Sequence, residues 1–157
     1  MTRLVNCLWF DGQAEEAANF YAALLPNSSV DRVVTAPGDY PSGKQGDVIT
    51  VDFTLLGRPF MGLNGGPQFQ FTEAISMIVE CDTQEEVDLY WAALSSVPDA
   101  EQCGWCKDRY GLSWQITPRM MIDLLGDADP GRAKRAFEAM MHMKKLDIAA
   151  LEAAAAG

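Results

Sequence analysis

Two stretches of this sequence decide its fold, because they repeat one another. Gln13–Leu24 reads QAEEAANFYAAL, and Thr83–Leu94, 70 positions later, reads TQEEVDLYWAAL. A Glu-Glu pair, two adjacent aromatic residues and an Ala-Ala-Leu ending recur in register. In both stretches the apolar residues lie three and four positions apart, which is typical of an amphipathic helix that buries its aromatic pair. A repeat of this kind indicates two copies of one structural unit.

The surroundings of the two predicted helices also match. A strand-like run precedes each helix, at Leu4–Phe10 and at Ala74–Glu80. Further strand-like runs follow, at Ser29–Thr35, Val48–Leu55 and Pro59–Asn64 in the first half and at Cys103–Cys106 and Leu112–Thr117 in the second. The sequence therefore predicts an α+β protein of paired β-α-β-β-β modules, which form a curved mixed sheet shaped like a cup.

The modules are predicted to share one domain that spans residues 1–157. Module one covers 1–66, module two covers 70–118, and a helical tail covers 119–157. Within module one, residues 36–47 form a long loop rich in Gly and Pro, which is typical of a functional lid or a disordered segment. The sequence leaves its role open.

The tail begins its predicted helix at Asp129-Pro130, since Asp suits the N-cap and Pro suits the first helical position. The apolar stripe of this helix would continue as far as Ile148. Three nearby methionines, Met140, Met141 and Met143, could form an adaptable binding surface, although core or subunit packing is the commoner role of such residues.

The charge of the chain argues against two classes of partner. It holds 22 acidic residues against 12 Lys and Arg, for a net charge of −10. Such a field repels nucleic-acid phosphates and anionic lipid surfaces. There is no apolar run near the ~20 residues that a membrane span needs. The first residues, Met1–Leu4, lead directly into a strand pattern, which leaves no room for a signal peptide. We therefore expect a cytoplasmic protein.

Cys103 and Cys106 form a C-x-x-C pattern that resembles a redox or zinc motif. A redox pair normally lies at the start of a helix, whereas Asp108–Gly111 here predicts a tight turn. If residues 102–106 form a strand, the two thiols point to opposite faces. A zinc site would also need a second ligand pair, so we expect reduced, structural cysteines.

Several motifs together resemble one known family. They are Trp9–Ala17, Pro59–Pro67, Phe71–Ser76, Cys103–Trp105, Asp108–Ile116 and Lys144–Ile148. The chain resembles the PhnB-like branch of the vicinal-oxygen-chelate superfamily, which includes glyoxalase I, bleomycin-resistance proteins and extradiol dioxygenases. The branch often carries the label 3-demethylubiquinone-9 3-methyltransferase. The resemblance implies a homodimer with a small-molecule site.

Metal-dependent members of that superfamily place His, Glu or Gln ligands on the first and last strands of each half. The matching positions here are Leu4, Val5 or Asn6, then Leu63 or Asn64, then Glu73 or Ala74, and finally Gln115. Glu73 and Gln115 alone among these could bind a metal strongly, and His142, the single histidine, lies far from them in sequence. We therefore expect neither a metal nor another cofactor.

The resemblance aims five side chains at the cup: Trp9, Asn64, Cys103, Trp105 and Gln115. Tryptophan faces stack planar ligands, and amide groups supply orienting hydrogen bonds. The alternative is that Trp105 only fills core and that Asn64 only serves the turn before Gly65.

The sequence thus favours metal-independent binding of a small, partly planar organic molecule. One alternative is an enzyme, either a metal-assisted lyase or isomerase that uses Glu73 and Gln115, or the methyltransferase of the label. Glu73 is then the weak candidate for a catalytic residue, as a general base if it is buried. Methyl transfer is disfavoured because the Gly-rich stretch Gly62–Gly66 ends a strand and does not lead into a helix. A second alternative is a non-catalytic partner protein.

Overall fold

The structure, a computed structural model, describes residues 2–157. They group into two compact units, the first ending at Phe71 and the second spanning Thr72–Gly157. Each unit contains a mixed β-sheet and at least one α-helix, and the chain order of these elements repeats from one unit to the other. The α+β class and the paired modules are confirmed.

The first unit has the complete β-α-β-β-β order. Its elements are β1 (Asn6–Phe10), α1 (Ala14–Leu24), β2 (Ser29–Thr35), β3 (Val48–Leu55) and β4 (Arg58–Asn64). The strands form a sheet in the order β1-β4-β3-β2, with β1 parallel to β4 and the other pairs antiparallel.

Helix α1 contributes its small residues and one aromatic ring to the core of this unit. Ala14, Ala17, Ala18 and Tyr21 are fully buried. The buried residues of the sheet alternate along each strand, as at Val51, Phe53 and Leu55, so one face of the sheet supplies the core. The core role predicted for the repeated helix is correct.

The second unit is a shortened copy of the first. It contains β5 (Ser76–Cys81), α2 (Gln84–Leu94), β6 (Trp105–Lys107) and β7 (Ser113–Pro118), with sheet order β5-β7-β6. A 3₁₀ turn at Pro98–Ala100 occupies the place of the extra strand. Proline lacks the N–H that a strand ladder requires and suits the first position of such a turn.

The tail forms three helices where one stripe was predicted. They are α3 (Arg119–Leu125), α4 (Pro130–Met140) and α5 (Ile148–Ala156). The predicted cap at Asp129 is present, since its carboxylate accepts hydrogen bonds from the N–H groups that follow it. A second cap at Asp147, which accepts from the N–H of Ala150 (2.9 Å), starts a new helix and interrupts the stripe.

The tail helices share a small core of their own. Its buried members are Met121, Leu124, Ala136, Leu146, Leu151 and Ala155. Of the three methionines singled out from the sequence, Met140 and Met143 pack against this core, whereas Met141 is 44% exposed. Among residues 2–157, none of the helices has the length and hydropathy that a membrane span requires.

Candidate functional site

A cavity of about 690 Å³ lies on one face of the second sheet. Ile78, Gln115 and Thr117 line it, while their strand neighbours Val79 and Ile116 point to the opposite, buried face. Since side chains alternate along a strand, this arrangement assigns the cavity to the sheet face that does not supply the core.

Sheet register brings two of the predicted ligand residues together. Gln115 of β7 pairs with Ile78 of β5 on one side and with Trp105 of β6 on the other. The three side chains therefore form a row across the sheet, with the half-buried indole at one end. Paired residues in adjacent strands lie about 5 Å apart, so one small ligand can touch all three.

A hydrogen bond to the neighbouring strand orients the amide of Gln115. Its Nε2 donates to the hydroxyl of Ser76 on β5 (2.8 Å). Within the described residues, neither Gln115 Oε1 nor the indole N–H of Trp105 has a protein hydrogen-bond partner. The row thus presents one acceptor and one donor to the cavity.

Cys103 also lines the cavity, but from a turn and not from a strand. Gln102 and Trp105 exchange two backbone hydrogen bonds (2.7 and 3.1 Å) around Cys103 and Gly104, whose φ values are 51° and 85°. These left-handed angles at both central residues define a tight two-residue hairpin. The predicted strand over 102–106 is therefore wrong at its start, because β6 begins only at Trp105.

Glu73 lies at the rim of the cavity, exposed to solvent. Its carboxylate pairs with Nζ of Lys107 at 2.5 Å. The hydrogen bond and charge of that ammonium lower the pKa of Glu73 below its ordinary value. The sequence made Glu73 a general base only if burial raised its pKa, and here the effect of burial is outweighed by the effect of Lys107.

Trp9 and Asn64 lie in the first unit and have structural partners. The indole N–H of Trp9 donates to the carbonyl of Gly66 (2.7 Å). The buried Asn64 accepts a hydrogen bond from the N–H of Ala14 (2.9 Å) and donates to the carbonyl of Val48 (2.9 Å). Asn64 thereby satisfies the start of α1, whose N-cap residue makes no side-chain cap.

Residues of the long loop and Asn64 together line a smaller cavity of about 330 Å³ in the first unit. The loop is organised by its own hydrogen bonds, with Tyr40 and Gly43 bonded to each other through both backbone groups. The hydroxyl of Ser42 also donates to the carbonyl of Gly65. These hydrogen bonds make the loop an ordered part of the first unit and not a disordered segment.

Sequence reasoning missed one wall of the large cavity. That wall comes from the tail, through Met121, Ile122, Leu125, Met140, Met141 and Leu146. Met141 Sδ lies 3.8 Å from the thiol of Cys103, where the tail meets the hairpin. The methionine cluster was the one signal of this wall, and its alternative interpretation as an adaptable surface agrees with this placement.

Comparison with known proteins places the chain in a family. A sequence model of the family described as 3-demethylubiquinone-9 3-methyltransferase matches residues 2–117. A PhnB protein from Bacillus cereus, provisionally given the same description, is 36% identical over 74% of this chain and 99% of its own, with a TM-score of 0.62. The chain belongs to the PhnB-like family. The resemblance inferred from the motifs is confirmed.

Other comparisons speak to the PhnB-like fold alone. A protein from Pseudomonas aeruginosa is 17% identical over 75% of this chain and 98% of its own, with a TM-score of 0.57. Among curated proteins none matches the chain. The family match ends at Thr117, so α3, α4 and α5 lie beyond it.

The superfamily's metal does not fit the residues of this PhnB-like chain. Of the aligned ligand positions, Glu73 is held by Lys107, Asn64 is held by backbone groups at the start of α1, and Gln115 is neutral. In the described part of the chain, residues 2–157, three or more His, Cys, Asp or Glu side chains are nowhere grouped to hold an ion.

Differences in burial predict unequal reactivity of the four thiols. Burial, reinforced by nearby carboxylates, raises the pKa of Cys81 and of Cys106 to about 12. Burial also raises the pKa of Cys7, to a lesser extent. Because the thiolate is the nucleophile, we expect Cys81 and Cys106 to resist iodoacetamide in the folded protein at pH 8.

Peptide mass spectrometry after a short labelling pulse measures this difference. We expect Cys103, half-exposed at the cavity, to be labelled at least about tenfold faster than Cys106. In urea all four should react at similar rates. Equal protection of Cys103 and Cys106 in the native protein would contradict the turn geometry.

Proposed function

We propose that this PhnB-like protein binds a small, partly planar organic molecule in the cavity of its second unit, without a metal. The observation that carries the proposal is the row of Trp105, Gln115 and Ile78, fixed by sheet register along one cavity wall. A volume of about 690 Å³ lies within the range of sites that hold drug-sized ligands.

The chemistry of the row supports a planar ligand with at least one polar group. The indole face of Trp105 offers a surface for stacking, and its N–H can donate to a ligand acceptor. The Oε1 of Gln115 can accept from a ligand O–H or N–H. The remaining lining is mostly aliphatic or thioether, which favours an apolar ligand body.

A direct test uses 2-naphthol as the probe, because it combines a planar ring with one hydroxyl. Titration into ¹⁵N-labelled full-length protein should move the indole N–H signal of Trp105. In the Trp105→Ala variant, affinity should fall about tenfold, as loss of an aromatic stacking partner and its buried area predicts.

Trp91→Ala provides the matched control, because Trp91 is half-buried on α2 and does not line the cavity. Its affinity for 2-naphthol should stay within about twofold of the unmodified protein. Thermal melts show whether each variant is folded. Absence of binding at millimolar probe, or equal loss in both variants, would refute the proposal.

We also propose that the protein works in the cytoplasm as a homodimer, and that it binds neither nucleic acid nor membrane. The free state of all four cysteines supports a cytoplasmic location. The net charge of −10 supports the absence of nucleic-acid and membrane binding. The dimer rests on the family resemblance.

A further inference from the structure

We infer that the tail selects the ligand of the large cavity, and that this ligand is an uncharged or cationic aromatic compound, not an anion. The inference rests on the proposed function, since it names the class of molecule that the cavity binds. It concerns the wall formed by the tail, which follows the part of the chain that the family model matches, residues 2–117.

The tail wall is held firmly against the sheet. At the hairpin, the N–H groups of Cys103 and Gly104 donate to the carbonyls of Met143 (2.8 Å) and Lys144 (2.7 Å). These two hydrogen bonds anchor the backbone of the tail close in sequence to Met140 and Met141, which line the cavity.

Helix α2 holds the next part of the tail. The side chain of Gln84 donates to the carbonyl of Leu146 (3.1 Å) and accepts from the N–H of Ile148 (2.8 Å). Lys145 pairs with Asp88 at 2.6 Å. A wall fixed at two places is preorganised, so a ligand need not order it on binding.

The surface of this wall is apolar and polarizable. All six tail residues that line the cavity are Met, Leu or Ile. Thioether sulfur makes favourable contacts with aromatic rings at about 5 Å, and methionine adapts to irregular shapes. A flat aromatic ring between the tail methionines and Trp105 would contact thioether sulfur on one side and the indole on the other.

The charges that line the cavity disfavour an anionic ligand. Its lining includes two carboxylates, Glu73 and Asp99, and among the described residues it includes no Lys, Arg or His. Glu73 is paired with Lys107, whereas Asp99 has no ion-pair partner in residues 2–157. An anionic ligand would lose hydration without gaining a cation, and the field of a chain at −10 adds to the repulsion.

Three naphthalene probes with the same ring separate the classes: 2-naphthol, 2-naphthylmethylammonium and 2-naphthoate. Each is titrated into the full-length protein at neutral pH and low salt, with the Trp105 signal as readout. We expect the neutral and cationic probes to bind at least about tenfold more tightly than naphthoate.

A positive charge placed on the tail tests whether the tail wall, and not the sheet wall, determines which ligands the cavity binds. Met141→Lys puts an ammonium at the cavity on a side chain that is 44% exposed, so folding should be retained. It should strengthen naphthoate binding and weaken the cation by several fold each. Phe137→Lys is the matched control, since Phe137 is a tail residue of similar exposure (45%) outside the lining, and should change neither.

The outcomes separate the inference from the proposed function. Failure of all three probes to bind would sink the proposed function itself. Binding of 2-naphthol with equal or tighter naphthoate binding would overturn the charge preference while the function stands. Equal effects of the two lysine variants would overturn selection by the tail. Ile122→Lys, also exposed at the cavity, repeats the test if Met141→Lys does not fold.

Discussion

Asp108→Ala is expected to lower the free energy of unfolding by about 3–5 kcal/mol, because the Asp108 carboxylate satisfies three N–H donors. Asp108 is 1% exposed in the turn between β6 and β7. One carboxylate oxygen accepts from the backbone N–H of Tyr110 (2.8 Å) and of Leu112 (3.0 Å). The other accepts from the indole N–H of the buried Trp114 (2.8 Å).

Alanine would leave these donors unsatisfied, and each buried one costs about 1–3 kcal/mol. Asp108→Asn should cost less, because the oxygen of asparagine can still accept from the two backbone N–H groups. It should still destabilise the protein, because the amide N–H₂ cannot accept from the indole N–H of Trp114. Urea unfolding followed by circular dichroism measures both. The control is Asp99→Ala at an exposed site, expected within about 0.5 kcal/mol of the unmodified protein.

If Asp108→Ala and Asp99→Ala cost the same, the hydrogen-bond network is not what stabilises this turn. The turn joins the two strands that carry Trp105 and Gln115, so its integrity also governs the site. A folded Asp108→Ala protein should therefore bind 2-naphthol more weakly than the unmodified protein.

The fold could be predicted from the sequence because local and repeated signals agree. The position of Ala17 in α1 recurs 70 residues later at Val87 in α2, and both are buried. Each helix is followed by strands whose apolar residues alternate, and Asp108–Gly111 forms the predicted turn. Such patterns report directly on which face of an element is buried.

The tail was harder to predict, because its helices break at a polar cap within an apolar stripe. Asp147 can lie on the exposed face of a continuing helix or begin a new one, and local sequence does not choose between them. The choice is made by tertiary contacts, above all the two hydrogen bonds of Gln84 with Leu146 and Ile148.

The candidate site was predictable in part for the same reason. Trp105 and Gln115 lie on paired strands, so a correct fold already places them side by side. The cavity wall opposite them comes from Met140 and Met141, which are distant in sequence and outside any repeated pattern. Asn64 shows the reverse case, since its bond to the start of α1 spans 50 positions and no local motif announces it.

Gly104→Ala is expected to cost about 2–4 kcal/mol of unfolding free energy, because this glycine joins the hairpin to the tail. Its φ is +85°, where an L side chain is strained by about 1–2 kcal/mol. A Cβ there would also lie 3.0 Å from the carbonyl oxygen of Ile116 and 3.1 Å from Cδ1 of Leu146. The carbonyl belongs to β7 and the Leu146 side chain to the tail, so the hairpin must shift against the strand, the tail or both.

Gly111 offers a matched control, since it shares the φ of +85° but has nothing within 4 Å of an added Cβ. Gly111→Ala should therefore cost only the backbone strain, about 1–2 kcal/mol, and leave 2-naphthol binding nearly unchanged. Gly104→Ala should cost more unfolding free energy than Gly111→Ala, and at equal occupancy of the folded state it should bind 2-naphthol more weakly. These two differences measure how far the site depends on a closely packed tail. Equal stability and equal binding in the two variants would mean that the contact of Gly104 with Leu146 holds neither the tail nor the cavity wall in place.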